Sequence, residues 1–354
     1  LVSASGGYNL DHTYITAIGP SRIANPDLKW EQSTQTNVGI DASFLNNRIS
    51  LILDYYYKKT KDLIYVKSLP LSSGYASMMG NFGSLQNKGL EIAANAVVLD
   101  GPLKWTVNGN ITFNRNKMLS LDGGTTLERF VTNYTVLQVG QPVGMFKTYV
   151  FDGINQTGDA IVPGYDGRIG GHKIKDLNSD GVIDAKDQII TGNPNPKFIF
   201  GFSTSLTYKR FDLGAFFSGS YGNDIYNASR LSFENPLGQR NQFVGVLDRW
   251  TTDNPSNQYV SPAVAGRLPI SNYVVENGSY LRMKNLMLGY TLPTIKGINR
   301  LRVYVSANNL FTITKYTGFD PEVNSYAGSN TQIGIDNLVY PQSKSFLGGI
   351  QVTF

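Results

Sequence analysis

Asn37-Val38-Gly39-Ile40-Asp41-Ala42-Ser43-Phe44, followed by Leu45-Asn46-Asn47-Arg48 and then Ile49-Ser50-Leu51-Ile52-Leu53-Asp54-Tyr55-Tyr56-Tyr57, is the stretch that decides the fold. Val38, Ile40, Ala42 and Phe44 alternate with Asn37, Gly39, Asp41 and Ser43. A period of two puts the first set on one face of a β-strand and the second on the other. Beyond the Asn-rich turn, Ile49, Leu51, Leu53, Tyr55 and Tyr57 form the apolar face of a second strand. Two alternating runs joined by a short turn predict a hairpin.

The pattern recurs along the chain. Leu90 to Val98 and Trp105 to Phe113 flank Asp100-Gly101-Pro102, Phe198 to Tyr208 and Phe211 to Phe217 flank Lys209-Arg210, and residues 279–290 and 301–312 flank Pro293 to Asn299. In 279–290 both parities carry apolar residues, Met283 and Met287 against Leu286 and Leu288, which leaves its facing open. The last strand, 343–354, sets Phe346, Gly348, Ile350, Val352 and Phe354 against Leu347, Gly349, Gln351 and Thr353. A strand ending on Phe is the expected form of the C-terminal strand that closes an outer-membrane barrel.

These runs make nine long strands, with short connections near 46, 101, 209 and 295 and long ones at 60–85, 116–196, 222–278 and 313–342. Outer-membrane barrels have short periplasmic turns and long extracellular loops. The expected fold is therefore all-β: an antiparallel transmembrane β-barrel segment of about nine membrane strands over 1–354. The Val/Ile/Leu/Phe side would face lipid and the Asn/Ser/Thr/Gly/Asp side a wet lumen. Tyr55, Tyr57, Tyr208 and Tyr290 stand near strand ends, where aromatic girdles belong. Bacterial single-chain barrels have even strand numbers, so an odd count implies part of a larger barrel. The competing expectation is a soluble antiparallel sandwich with one solvated face.

Composition narrows the functions. With no Cys there is no disulfide framework, thiol nucleophile or Cys-based metal site. No run approaches the roughly 18 apolar residues of a membrane helix. The net charge is +5, but the Lys and Arg residues are scattered, without a basic patch or recognition motif, which argues against nucleic acid. Leu1 to Gly7 does not read as a signal peptide.

Ile23-Ala24-Asn25-Pro26-Asp27-Leu28-Lys29-Trp30-Glu31 with Gln35 to Asp41, Gly80-Asn81-Phe82-Gly83 with Asn87 to Glu91, and Gly192-Asn193-Pro194-Asn195-Pro196-Lys197 are motifs, as are Gly222 to Asn227, Ser279 to Asn285, Asn309-Leu310-Phe311 and Tyr316-Thr317-Gly318-Phe319-Asp320-Pro321-Glu322. Together they resemble the SusC/RagA family of TonB-dependent outer-membrane transporters of Bacteroidetes. The resemblance implies a 22-stranded barrel with an N-terminal plug, energised by the TonB complex. It also implies a SusD-like lipoprotein as a lid and oligosaccharide or oligopeptide cargo. No plug domain is legible in this chain, so its strands would be the last of the barrel.

Asp176 to Asp187 carries the only spacing with site chemistry. Asp176, Asn178 and Asp180 stand at positions 1, 3 and 5 of an EF-hand-type loop, with Gly181 at the sharp turn. Val182 would offer its carbonyl, Asp184 falls at position 9 and Asp187 at 12, where Glu is usual. The expectation is a structural Ca²⁺ within the extracellular loop 116–196; the alternative is a metal-free loop held by Asx turns. His12 and His172 are far apart, without a nucleophile motif, and no acid/base pair converges. The chain does not read as an enzyme. Trp105 reads as an interface anchor, Trp30 as the start of a strand, and Trp250 as either cargo contact or loop packing. The functional expectation is import across the outer membrane. The alternative is a soluble calcium-stabilised β-rich glycan-binding or adhesion module.

Overall fold

In the computed structural model nine strands form a single sheet. They are Gln32–Phe44 (β1), Ile49–Ser68 (β2), Ser77–Asp100 (β3), Leu103–Leu121 (β4), Phe198–Tyr208 (β5), Phe211–Tyr221 (β6), Tyr280–Thr291 (β7), Arg300–Thr314 (β8) and Ser345–Thr353 (β9). The structure describes the chain except residues 1, 11–12, 21–22, 76, 122–125, 129–133, 166, 238–239, 265–267, 269 and 294–296. His12 lies outside the described residues. Each strand runs antiparallel to its neighbour in the chain, and the sheet is open, with β1 at one edge and β9 at the other. β9 pairs on one side only, with β8.

The register aligns the apolar positions into continuous rows. Ile40 stands opposite Leu53, Leu53 opposite Ile92, Ile92 opposite Ile111 and Ile111 opposite Phe200. Directly opposed residues share a face, so the wall carries one apolar surface. Val38, Ile40, Phe202, Val305, Phe346 and Ile350 all stay exposed on it. The ambiguity at 279–290 has a physical cause. The register slips between Phe216/Phe217 on β6 and again between Met283/Asn285 on β7. A β-bulge inserts one residue and so inverts the alternation beyond it. Met283 thereby shares the apolar face with Leu286 and Leu288, and Met287 turns to the other side.

Two expected boundaries move. The long connection placed at 60–85 shrinks, because β2 continues to Ser68 and β3 begins at Ser77. The apolar alternation stops at the polar run Lys58-Lys59-Thr60-Lys61-Asp62, but the backbone pairing does not stop with it. Likewise β4 extends to Leu121. A hairpin that the sequence reading left unassigned, Val2–Leu10 with Thr13–Pro20, forms its own two-stranded sheet.

The turn Leu45 to Arg48 places Leu45, Asn46 and Asn47 at φ of 55, 54 and 64. Asn tolerates this left-handed region better than most residues. Arg48 fastens the turn to β3, its Nη2 donating to the Val98 carbonyl at 2.9 Å.

The long connections hold the buried core. Tyr226, Phe146, Ile154, Ile225, Ile335, Val136 and Val274 are among the largest fully buried side chains, and all lie in loops. Phe146, Tyr226, Ala228, Val274 and Ile335 form one cluster drawn from three different loops. The strand Asp224–Asn227 pairs antiparallel with Val275–Asn277 and parallel with Ile335–Asp336, tying two loops together. The division follows from solvent. A lipid-facing side chain gains nothing by hiding from water, whereas loops in water are held together by hydrophobic burial.

Candidate functional site: the lumen face and its loops

The face opposite the apolar rows carries short amides and hydroxyls, with Asp41, Asp54, Glu91, Lys58 and Lys104 among them. Asn285 donates to Asn308 Oδ1 at 2.8 Å, and Asn308 donates to Ser345 Oγ at 3.1 Å, linking β7, β8 and β9. Asn108 of β4 stands opposite Ser203 of β5 and donates to its hydroxyl at 3.4 Å. The amides and hydroxyls of this face offer neutral donors and acceptors, which suit sugar hydroxyls and peptide amides alike.

Toward the short-turn end, an ion pair crosses this face. Arg302 of β8 reaches across β7 to bind Asp212 of β6 through Nε and Nη2. The path exists because residue 289 is glycine: a Cβ there would stand 2.6 Å from both Arg302 Nε and Asp212 Oδ1. The Tyr304 ring lies beneath the Arg302 guanidinium, 5.1 Å from its centroid.

Toward the loop end, the lumen face holds down a loop. Arg282 of β7 is buried, and its Nη2 binds Asp320 Oδ1 at 2.6 Å while Nη1 binds Glu322 Oε2 at 2.5 Å. Lys284 Nζ reaches the same Glu322 oxygen at 2.5 Å, and Tyr280 Oη donates to Glu322 Oε1 at 2.9 Å. Both partner segments, Ser279 to Asn285 and Tyr316 to Glu322, stand out in the sequence, but nothing local joins them. A usable signal was present: cations inside a strand of the wall, and acids in the loop that follows the next one.

Above the wall, Asn114, Asn116, Asn193, Asn195, Arg115 and Asp224 are among the residues lining a cleft of 460 Å³. Asn116 donates to Asn195 Oδ1 at 2.6 Å and accepts from Val143 N at 2.7 Å, so this Asn/Pro-rich segment also secures the loop to β4. Burial raises the Asp224 carboxyl above its usual range.

The acidic loop is closed by its own carboxylates. Asp176 accepts from Ser179 N at 2.7 Å and from Gly181 N at 2.8 Å, with Gly181 at φ 82. Asn178 accepts from Asp180 N and Asp180 from Val182 N, both through Asx turns. Asp184 caps the short 3₁₀ turn Ala185–Asp187. Asp187 points inward, fully buried, and accepts from Leu177 N and Asp184 N, both at 2.8 Å. Lys186 Nζ lies 3.5 Å from both Asp180 and Asp184. Asp176, Asn178 and Asp180 thus surround the turn, while Asp184 and Asp187 brace its exit. Among the described residues no group of three or more His, Cys, Asp or Glu side chains is gathered as a metal cluster. Each carboxylate oxygen retains lone pairs beyond those its amides use.

Of the remaining candidates, Trp250 and His172 resolve into packing. Trp250 is buried with Ile154 and Val260 and donates to Gln156 Oε1 at 2.9 Å. Trp105 donates to Thr204 Oγ1 at 2.8 Å across the wall, and Trp30 is exposed just before β1. His172 is buried between Phe151 and Tyr273, and burial, with the charge of Arg230, lowers its pKa to about 4.

A family model described as TonB dependent receptor-like, beta-barrel matches residues 2–310. The chain is 36% identical over 353 residues to TonB-dependent receptor P3 of Formosa agariphila, covering 94% of this chain and 35% of that protein. It is 31% identical over 374 residues to TonB-dependent receptor SusC of Bacteroides thetaiotaomicron, covering 98% of this chain and 34% of that protein. A solved structure described as the RagAB peptide transporter superposes with a TM-score of 0.80 at 27% identity, covering 100% of this chain and 38% of that one. The chain therefore spans about a third of the length of the curated relatives it matches.

Proposed function

The chain belongs to the TonB-dependent receptor-like β-barrel family, and from that premise we propose that it forms wall and extracellular loops of an importer of oligosaccharides or oligopeptides. Its place is the outer membrane, and its family is one of transporters, not enzymes. The observation that carries the proposal is the pairing of faces: apolar rows running across β1 to β5 on one side, a polar face on the other. With the loops gathered at one end, this is a wall between lipid and a wet lumen. The soluble-module alternative leaves the exposed apolar rows without a solvent that suits them.

In this reading cargo binds by neutral hydrogen bonds among the loops and the lumen face. A SusD-like lipoprotein closes over the loops, and the TonB complex supplies the energy. The sheet, open at β1 and β9, is completed by further strands toward the family's 22. The test is direct. The full-length protein should partition with outer membranes, need detergent for extraction and co-purify with a surface lipoprotein. A deletion strain should lose growth on the cargo when that is the sole source, and trials on glycans and on peptides identify its class. Recovery as a folded, water-soluble monomer overturns the reading.

We propose further that the loop Asp176 to Asp187 takes Ca²⁺ in a structural role, with Asp176, Asn178, Asp180, Val182, Asp184 and Asp187 as the oxygen donors. The support is the spacing, together with Gly181 in the sharp turn that such a loop requires. An ion must displace Lys186 from Asp180 and Asp184. Calorimetric titration after chelation should give heat, and calcium should slow proteolysis of the loop. No heat and unchanged proteolysis would remove the idea.

A further inference from the structure

The cations scattered in the sequence are gathered by the strand register. Tyr57 stands opposite Lys88, and Lys88 opposite Arg115. Two residues farther from the short turns, Lys59 stands opposite Gln86, and Gln86 opposite Lys117. Steps of two keep a face, so these rows continue the apolar rows Leu53–Ile92–Ile111 and Tyr55–Leu90–Phe113 on the outer side of the wall. Tyr57 Oη donates to Gln86 Oε1 at 3.3 Å, placing both basic rows on one side. The outer surface therefore turns from apolar to basic within about 7 Å, with Tyr55 and Tyr57 at the boundary.

Beyond these rows lies a cleft of 350 Å³ whose lining includes Lys59, Lys61, Asn81, Ser84, Ser120 and Asp62. The Ser84 and Ser120 hydroxyls are 2.6 Å apart across β3 and β4. Lys88, Arg115 and Lys117 are exposed. Among the described residues Lys59, Lys61, Lys88 and Lys117 form no ion pair, and Asp62 is the one carboxylate lining the cleft. Like charges placed directly opposite, as Lys88 and Arg115 are, destabilise a sheet; Arg115 is drawn to the Lys197 carbonyl, to which Nη1 donates at 2.8 Å, whereas Lys88 has no such partner among the described residues. Their concentration at the level of the lipid headgroups calls for an anion supplied by the membrane.

We propose that this rim of β2, β3 and β4 binds the phosphorylated headgroup of an outer-leaflet glycolipid. Lys59, Lys88 and Lys117 take the phosphate charge. The bonded Ser84–Ser120 hydroxyl pair leaves one free O–H to donate, and the acyl chains lie on the apolar rows below. The site rests on the reading of this face as lipid-facing.

The test uses the full-length protein in detergent, offered monophosphorylated lipid A in mixed micelles, the same lipid dephosphorylated, or inorganic phosphate. Native mass spectrometry counts retained lipid. Wild type should retain the phosphorylated lipid over the dephosphorylated one. Lys59→Gln with Lys117→Gln should lower retention at least about five-fold, since each cation near an anionic surface contributes about that factor. Lys58→Gln with Lys104→Gln removes the same charge from the lumen face and should leave retention unchanged. Equal retention of the two lipids, or equal loss in both double variants, overturns the proposal. Displacement of the lipid by about 10 mM inorganic phosphate, a probe with no acyl chains to anchor it, would make this a phosphate site only and overturn the lipid assignment. Heat-modifiable migration on gels confirms that each barrel is folded; should the double variant fail it, Lys88→Gln alone carries the same expectation. Absence of the wild type from outer membranes would instead count against the barrel reading.

Discussion

Arg282 on the lumen face of β7 and Asp320 in the loop after β8 meet at 2.6 Å, with side-chain exposures of 3% and 5%. Asp320 also accepts from Gln342 N at 3.0 Å, so one carboxylate joins both ends of its loop to the wall. Removing the cation strands a buried charge, which costs about 3–5 kcal/mol. Arg282→Ala should therefore release residues 316–342, giving faster hydrogen exchange there while exchange in β1 to β4 is unchanged. Unaltered exchange in that loop would show the pair to be incidental.

Ile92 and Ala93 are neighbours on β3, facing lipid and lumen respectively. Arg on the lipid face near mid-membrane costs about 2–4 kcal/mol in outer-membrane barrels, and lumen positions are more tolerant. Ile92→Arg should thus lower unfolding stability in lipid vesicles by that amount, and Ala93→Arg by well under half of it. Equal costs would mean that the two faces are wrongly assigned.

Most of the wall was legible because alternation and turn chemistry are local. Val38 to Phe44 with the Asn46-Asn47 turn already contain the facing of β1 and β2. Legibility failed where the signal is not local. Met283 against Leu286 cannot be read without the bulge, because a slip in pairing is a property of two strands. Strand ends were misplaced at Lys58 and Asn116, where polarity changes but pairing continues. The site was less legible still. Arg282 with Glu322, and Lys88 with Arg115, are joined only by the sheet register or a loop's path. Trp250 gave equal weight to cargo and packing until its neighbours Ile154 and Val260 were known.

Gly289 and Gly348 separate crowding from mere strand propensity. A Cβ on Gly289 meets Arg302 and Asp212, whereas one on Gly348 meets nothing within 4 Å. Overpacking costs about 1–3 kcal/mol. Gly289→Ala should lose that much in denaturant unfolding and break the Arg302–Asp212 pair, while Gly348→Ala should be near neutral or slightly stabilising. A neutral Gly289→Ala would show that the pair can reach around a methyl group.

His172 should make the loop assembly acid-sensitive. It packs against the rings of Phe151 and Tyr273, at 4.8 and 5.0 Å, and its Nδ1 has no hydrogen-bond partner among the described residues. Burial, aided by the charge of Arg230, lowers its pKa from 6.5 to about 4. The unfolded loop therefore binds the extra proton between these values. The stability that a neutral imidazole permits is complete above pH 6.5 and is lost as pH falls toward 4. The lowering is worth on the order of 3 kcal/mol at most. His172→Phe keeps an aromatic ring in the packing and removes the titration. Carboxylates elsewhere in the loops titrate in both proteins, so the difference between them isolates the imidazole. Hydrogen exchange across residues 151–174, followed from pH 7.5 to 4.5 and corrected for intrinsic rates, should lose protection in the wild type and lose distinctly less in the variant. Parallel loss in the two proteins would assign the acid sensitivity to other groups.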